Sequence, residues 1–423
     1  MTDERKPLSS GPDFERLRQL SADGQLYFGY GSILDCLDNA SGFRNPAKFL
    51  GKAFAPDASL SFLPGPDPRM GGVLSLCDMP GACIDGGLFA VEDWAEPDAQ
   101  ARVHAGDRVR VSLIFLVPDE GTGICQEIVA QTYVTASPEG VAQPDGESPR
   151  QCRQWRESHG LRTVDLDAAA RGKPNGFGHE PPGIFTYGTL CRGECRERVM
   201  RRGPLIDVAM AELHGMSLWR HSGGEYPCLV APNAAGGLAR PVPGDLWSYQ
   251  ADGRNAASFS KLFRRLDAIE SDERAMPRGI AEIAIAKRAQ GLSVDEASAA
   301  THAHVEAVKA TSLFRRNLVR VDSGGRQSLA WTYFYTGSKA GLLPIVSGNW
   351  RKYVGRWDGF LLRLAASYVE KAGGLEAFRS RANAPLSSLA DIADAADLAR
   401  RLDSGQTDER ELIMKMRLTK PVD

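Results

Sequence analysis

The sequence predicts an α+β protein made of two tandem copies of one domain, followed by a helical C-terminal tail. Three observations predict it. Residues 26–34 read LYFGYGSIL and residues 184–193 read IFTYGTLCRG, so Tyr30-Gly31-Ser32 aligns on Tyr187-Gly188-Thr189. Further on, Ala130-Gln131-Thr132-Tyr133 aligns on Ala330-Trp331-Thr332-Tyr333, and matches so far apart imply a repeat of domain size. Between the copies, residues 173–183 (KPNGFGHEPPG) are rich in Gly and Pro and almost free of apolar side chains, as a linker would be. The resulting division is a polar leader (1–23), a first copy (24–172), the linker (173–183), a second copy (184–355) and the tail (356–423).

Length and composition agree with this division. A chain of 423 residues exceeds one ordinary core, and 43% hydrophobic with 25% charged residues is a globular composition. A net charge of −2 argues against a general nucleic-acid binder. The pairs Arg201-Arg202 and Arg315-Arg316 read as solvated faces. The N-terminal MTDERKPLSS lacks the apolar core of a signal peptide, and the longest apolar stretch, 111–117, is too short to span a bilayer. Eight cysteines show no C-x-x-C spacing, so no zinc or redox site is expected. The expectation is a cytoplasmic, soluble protein with no nucleic-acid or membrane partner; oligomeric state is left open.

In order, the leader allows a short helix around residues 14–20. Strands are expected at SLSFL, GGVLSL, GGLFAV, 108–117 and 130–136, followed by mixed helix over 150–170. The second copy repeats the order with AELHGMSLW, EYPCLV and PGDLWSY as strands and a helix over 256–270. AEIAIAKR reads as a further strand, 293–321 as an insertion, and LAWTYFYTG as the closing strand. Within the insertion Ser293 can cap a helix whose first turn carries Asp295 and Glu296. The tail places Phe360, Leu361, Leu364 and Tyr368 on one helical face.

Chemistry concentrates at two places. The strand–turn junction at Tyr187-Gly188-Thr189-Leu190 leaves backbone N–H groups unpaired and converging, a place for a carboxylate or developing oxyanion, although a buried strand with an ordinary turn has the same pattern. The helix over 256–270 carries Phe259, Leu262, Phe263, Leu266 and Ile269 at i, i+3, i+4 spacing, and Glu270 lies on the edge of that stripe. A carboxylate there loses water, which tunes it for general acid–base work; the plain alternative is a helix-end Glu turned to solvent. His221, His302 and His304 lack partners at metal spacing, so no metal site is expected. Cys191, just after the turn, is a conceivable nucleophile without a placeable His or Asp partner.

Taken together, YGTLCRG, EYPCLV, PGDLW, Leu266-Asp267-x-x-Glu270, AWTYFY and SGNWRKY resemble the gamma-glutamylcyclotransferase-like family over 184–353, the gamma-glutamylamine branch most of all. The first copy is similar to another branch through its YGS turn, its Phe43-Arg44-Asn45-Pro46-Ala47 element and GGLFAV. The resemblance implies a mixed β-barrel with flanking helices in each copy and a cofactor-free reaction. In that reaction the α-amine of a small γ-glutamyl substrate attacks its own γ-carbonyl, leaving 5-oxoproline and a free amine. It assigns Glu270 as general base and acid. It assigns the substrate contacts to the backbone of Tyr187, Gly188, Thr189, Leu190, Cys191 and Arg192, with Tyr333 as a further one. The equivalent first-copy loop is Tyr30, Gly31, Ser32, Ile33 and Leu34. There the acid's position falls on Ala101 and Ile33 replaces a common Asn, so that copy reads as degenerate, with Glu92 or Glu96 as the acid if the alignment slips. The other readings are a non-catalytic ligand- or partner-binding protein and a thiol hydrolase using Cys191.

Overall fold

A computed structural model describes residues 11–31, 47–64, 72–95, 97–99, 101, 108–135, 142, 144, 148–171, 182–194, 196–221, 226–231, 241–250, 255–338, 342–345 and 347–352. Its elements in chain order are α1 (Phe14–Ala22), β1 (Leu26–Gly29), β2 (Lys48–Pro64), β3 (Gly72–Ala90), β4 (Arg108–Asp119), β5 (Ile124–Thr135), α2 (Ser148–Ser158) and α3 (Val164–Ala170). There follow β6 (Gly183–Thr186), α4 (Glu197–Met200), β7 (Leu205–Leu213), β8 (Ser217–His221), β9 (Pro227–Val230) and β10 (Val242–Tyr249). The last are α5 (Ala256–Glu270), α6 (Pro277–Ala289), α7 (Val294–Thr311), β11 (Phe314–Ser323), β12 (Arg326–Tyr335) and β13 (Leu342–Pro344). Most of the linker, the tail over 356–423, residues 43–46 and Ser32, Ile33, Leu34 and Glu96 lie outside the described residues.

The chain divides into two compact units. The first takes Met1–Ile184, Arg202–Val208 and Trp247–Ser338; the second takes Phe185–Arg201, Ala209–Leu246 and Lys339–Asp423. In the first unit a large sheet runs in the order β1-β3-β2-β4-β5-β11-β12, and β1 also pairs with β5 through Tyr27 and Gln131. Phe28, Phe62, Leu88 and Phe115 from these strands share one core with Ile280, Ala281 and Ala284 of α6 and Val305 of α7. Each of the Phe, Leu, Ile and Val side chains among them, fully buried, contributes about 1.5–3 kcal/mol. The second unit holds a three-stranded sheet in the order β13-β8-β9.

The structure corrects several expectations. AEIAIAKR is helical, part of α6. Pro277 opens that helix, and Ile280, Ala281 and Ala284 form its buried stripe. Alternating Ala and Ile had imitated a strand, but small Ala residues fit either period. Of the supposed insertion, α7 begins with the expected Ser293 cap, Ser293 Oγ accepting from the Glu296 N–H at 3.2 Å and the Glu296 carboxylate accepting from the Ser293 N–H at 2.7 Å. The remainder is β11, a strand of the sheet that pairs with β12 from Phe314↔Tyr335 to Ser323↔Arg326. AELHGMSLW is two strands, broken at Gly215, whose φ of 75° suits a residue without Cβ. GGVLSL and GGLFAV are the two ends of one strand, β3. In β4 the alternation disappears, since residues 110–117 are all buried. α7 packs against β4, and the Ser112 N–H donates to Thr301 Oγ1 at 3.0 Å.

Candidate functional site

In the second unit, β6 ends at Thr186 and the chain turns through Tyr187, Gly188, Thr189, Leu190, Cys191 and Arg192. The Cys191 N–H donates to the Gly188 carbonyl at 2.9 Å, and the Arg196 N–H to the Thr189 carbonyl at 2.9 Å. The Arg192 N–H donates to Asp245 Oδ2 at 2.7 Å, and the side chain of Arg192 adds two contacts to Oδ1 at 3.1 Å. The N–H groups of Gly188, Thr189 and Leu190 meet no acceptor among the described residues. Three consecutive donors in a mostly buried turn make a small cradle for an oxygen of a ligand. Gly188 has no room for a side chain, because a Cβ there would lie 2.3 Å from the Pro227 ring. Cys191 is 2% exposed, and its Sγ donates to the Thr186 carbonyl at 3.2 Å. Burial pushes this thiol up to about 12, which keeps it protonated and removes the basis for a cysteine nucleophile.

In the first unit, α5 buries Phe259, Leu262, Phe263 and Leu266 on the predicted face, and Glu270 is its half-buried last residue. Ser271 follows in the left-handed region with φ of 53°. One turn back, Asp267 is 8% exposed and accepts the Tyr333 hydroxyl at 2.7 Å. Arg316 Nη2 lies 3.5 Å from the other Asp267 oxygen and pairs with Asp57; Arg274 pairs with Asp57 at 2.9 Å and with Asp272 at 3.3 Å. Arg315 is paired with Glu127 at 3.0 Å. Arg315 and Arg316 are 5% and 0% exposed, so the reading of this pair as a solvated face was wrong; their charges are matched by carboxylates instead. The sequence concealed this network because Asp57 lies more than 200 residues from its partners.

Among the described residues, three guanidiniums (Arg274, Arg315, Arg316) here meet four carboxyls (Asp57, Asp272, Glu127, Asp267). One carboxyl is in excess. Asp267 is pushed up to about 6, first by burial, with Asp57 and Asp272 adding and Arg316 and Arg274 opposing. Its folded value lies above the ordinary 3.8, so the stability it contributes is fully present below about pH 4 and is lost as pH rises through about 6. Asp267→Asn should therefore gain on the wild type as pH rises from 4 to 7 in urea unfolding; a constant difference over that range would contradict the assignment.

A constellation of the same composition stands elsewhere in the first unit. The Tyr133 hydroxyl donates to Asp98 Oδ1 at 2.6 Å, and Arg110 Nη1 lies 3.5 Å from Asp98 Oδ2. Arg110 is opposite Tyr133 in the β4–β5 ladder, as Arg316 is opposite Tyr333 in the β11–β12 ladder. Each guanidinium stacks on a ring at 4.5 Å, Arg110 on Trp94 and Arg316 on Phe263. Three residues after Asp98 comes Ala101, and three after Asp267 comes Glu270. Ala101 is 2% exposed in a cluster with Tyr27, Phe89, Tyr133 and Trp155. Ala101→Glu should cost on the order of 3–5 kcal/mol in chemical unfolding by burying a carboxylate among aromatic rings; a loss below about 1 kcal/mol would contradict this. Glu92 is exposed.

Tyr333 is 4% exposed with its hydroxyl on Asp267, while Tyr30 is 3% exposed with its hydroxyl on the Tyr133 carbonyl at 2.6 Å. Among the described residues no group of three His, Cys, Asp or Glu side chains could hold a metal ion, and no helix is long and apolar enough to cross a membrane.

Residues 184–352 match a family model described as gamma-glutamyl cyclotransferase, AIG2-like. Among solved structures, one named gamma-glutamyl cyclotransferase is 23% identical, over 34% of this chain and 86% of that one, with a TM-score of 0.28. An uncharacterized protein from Homo sapiens is 24% identical, over 34% and 86% of the two chains, with a TM-score of 0.29. YkqA from Bacillus subtilis is 11% identical, over 74% and 84%, with a TM-score of 0.25. No curated protein matches this chain in sequence.

Proposed function

We propose that this chain, gamma-glutamylcyclotransferase-like over residues 184–352, is an enzyme that converts a small γ-glutamyl amine or amino acid to 5-oxoproline and a free amine. The observation that carries the proposal is the turn at Gly188, Thr189 and Leu190, three N–H donors without an acceptor among the described residues, in the segment that matches the family. In the reaction the substrate's α-amine nitrogen bonds to its γ-carbonyl carbon, and the bond from that carbon to the leaving nitrogen breaks. Both reacting groups belong to one molecule, so holding the substrate folded supplies much of the rate. The three N–H groups stabilise the oxygen that becomes negative as the ring closes. Glu270 takes a proton from the α-ammonium group and returns one to the departing amine; this role rests on the Leu266-Asp267-x-x-Glu270 pattern.

We read the chain as two tandem copies, with the second catalytic and the first degenerate, acting in the cytoplasm. The matching Asp–Tyr–Arg constellations support the duplication, and the pairing of β1 with both β3 and β5 supports a closed barrel in the first copy. The aromatic packing around Ala101 supports the loss of chemistry there. The test is to incubate the purified chain with a panel of γ-glutamyl amines and γ-glutamyl amino acids and to follow 5-oxoproline. Release from at least one panel member is expected, and no release from any of them would overturn the reading.

A further inference from the structure

We infer that Asp245 and Arg351 are positioning residues for the proposed reaction, a clamp that holds the 187–192 turn in the shape that presents its N–H groups; the inference rests on the reading of that turn as the oxygen-binding element. Asp245 is fully buried in the second unit. Its carboxylate takes the backbone N–H and the guanidinium of Arg192, and it also pairs with Arg351. The same Arg351 nitrogen, Nη2, donates to the Arg192 carbonyl at 3.2 Å. The backbone of Arg192 is thus held at both its N–H and its C=O, two residues after the last open donor. Arg351 Nη2 carries two N–H bonds fixed in the guanidinium plane, one for the carboxylate and one for the carbonyl; a lysine side chain is one bond shorter and its ammonium falls short of that place.

A second observation comes from the first unit. Arg351 follows Trp350, and the same Trp-Arg pair recurs as Trp155-Arg156 in α2. Arg156 is fully buried, pairs with Asp85, and donates to the Tyr30 carbonyl at 3.2 Å. In each unit, then, an Arg from a Trp-Arg pair joins a buried Asp to a carbonyl of the segment that carries the Tyr-Gly turn. The first-unit version is present although Ala101 stands three residues after Asp98, where Glu270 stands after Asp267. The clamp therefore shapes the turn and takes no part in proton transfer.

The experiment uses the full chain with Arg351→Ala, Arg351→Lys and Asp245→Asn. Hydrogen exchange of the amides in 186–196 should accelerate about tenfold or more in Arg351→Ala and Asp245→Asn, whatever the protein's activity. In 5-oxoproline release, kcat of Arg351→Ala should fall about 10–100-fold with the shape of its pH profile unchanged, because the turn moves and the proton-transfer group does not. Arg351→Lys should recover only a small part of that loss. Unchanged exchange over 186–196 in both Arg351→Ala and Asp245→Asn would overturn the clamp, as would a shifted pH profile. If the wild type releases no 5-oxoproline, the proposed reaction fails, while the exchange measurement still decides the clamp. Should Arg351→Ala be poorly folded, the near-isosteric Asp245→Asn decides by the same exchange.

Discussion

Asp57→Ala should destabilise the first unit by about 3–5 kcal/mol, a larger loss than that expected for ordinary core truncations of its size. Asp57 is 3% exposed and sits in the left-handed region with φ of 58°, which is tolerable for Asp when its side chain is held. It is held three ways: it accepts the Gly81 N–H at 2.8 Å and Arg274 Nε at 2.9 Å, and it pairs with Arg316. Burial alone would push its carboxyl up, but the Arg316 and Arg274 guanidiniums outweigh burial and hold it below the ordinary value of 3.8. Truncation leaves Arg316, fully buried, with Asp267 as its nearest remaining carboxylate in the network. Asp57's own contribution is present above about pH 4 and is lost as pH falls through its folded value, opposite in sign to that of Asp267. Urea unfolding at pH 7 measures the effect, and a loss under about 1 kcal/mol would show that the network relaxes around the missing charge.

Glu270→Gln should lower kcat for 5-oxoproline release by about 100- to 10,000-fold, the range for removing a general acid–base group. The side chain keeps its size and its half-buried place at the end of α5, so folding should be almost unaffected. KM should change far less than kcat, since the lost interaction is needed in ring closure more than in binding. Steady-state kinetics with the best substrate of the panel measures this, and a loss smaller than tenfold would remove Glu270 from the mechanism.

Much of the frame was legible in the sequence because its signals are local. The α5 stripe, the Ser293 cap and the strands expected at 108–117 and 130–136, which fall within 108–119 and over the second half of 124–135, follow from spacing, capping chemistry and alternation within a few residues. The family pattern likewise singles out the turn at Gly188 and the side chain of Glu270 as candidates from short local motifs. Long-range pairing was not legible. Asp57, Arg274 and Arg316 form one network across 259 residues, and nothing in the Arg315-Arg316 pair distinguishes a buried pair from a solvated one. Asp245 and Arg351 are 106 residues apart, and each looks ordinary in its own segment. The α6 error has a different origin: Ala residues carry too little side chain to reveal which period is being buried.

The central claim is that the chain closes a γ-glutamyl group on itself, and product identity in heavy-oxygen water tests it most directly. Cyclisation uses an internal nitrogen, so the account predicts 5-oxoproline without label and one equivalent of free amine from the same γ-glutamyl substrate. Labelled glutamate as the product would mean that water is the nucleophile, and the cyclotransferase account would be wrong.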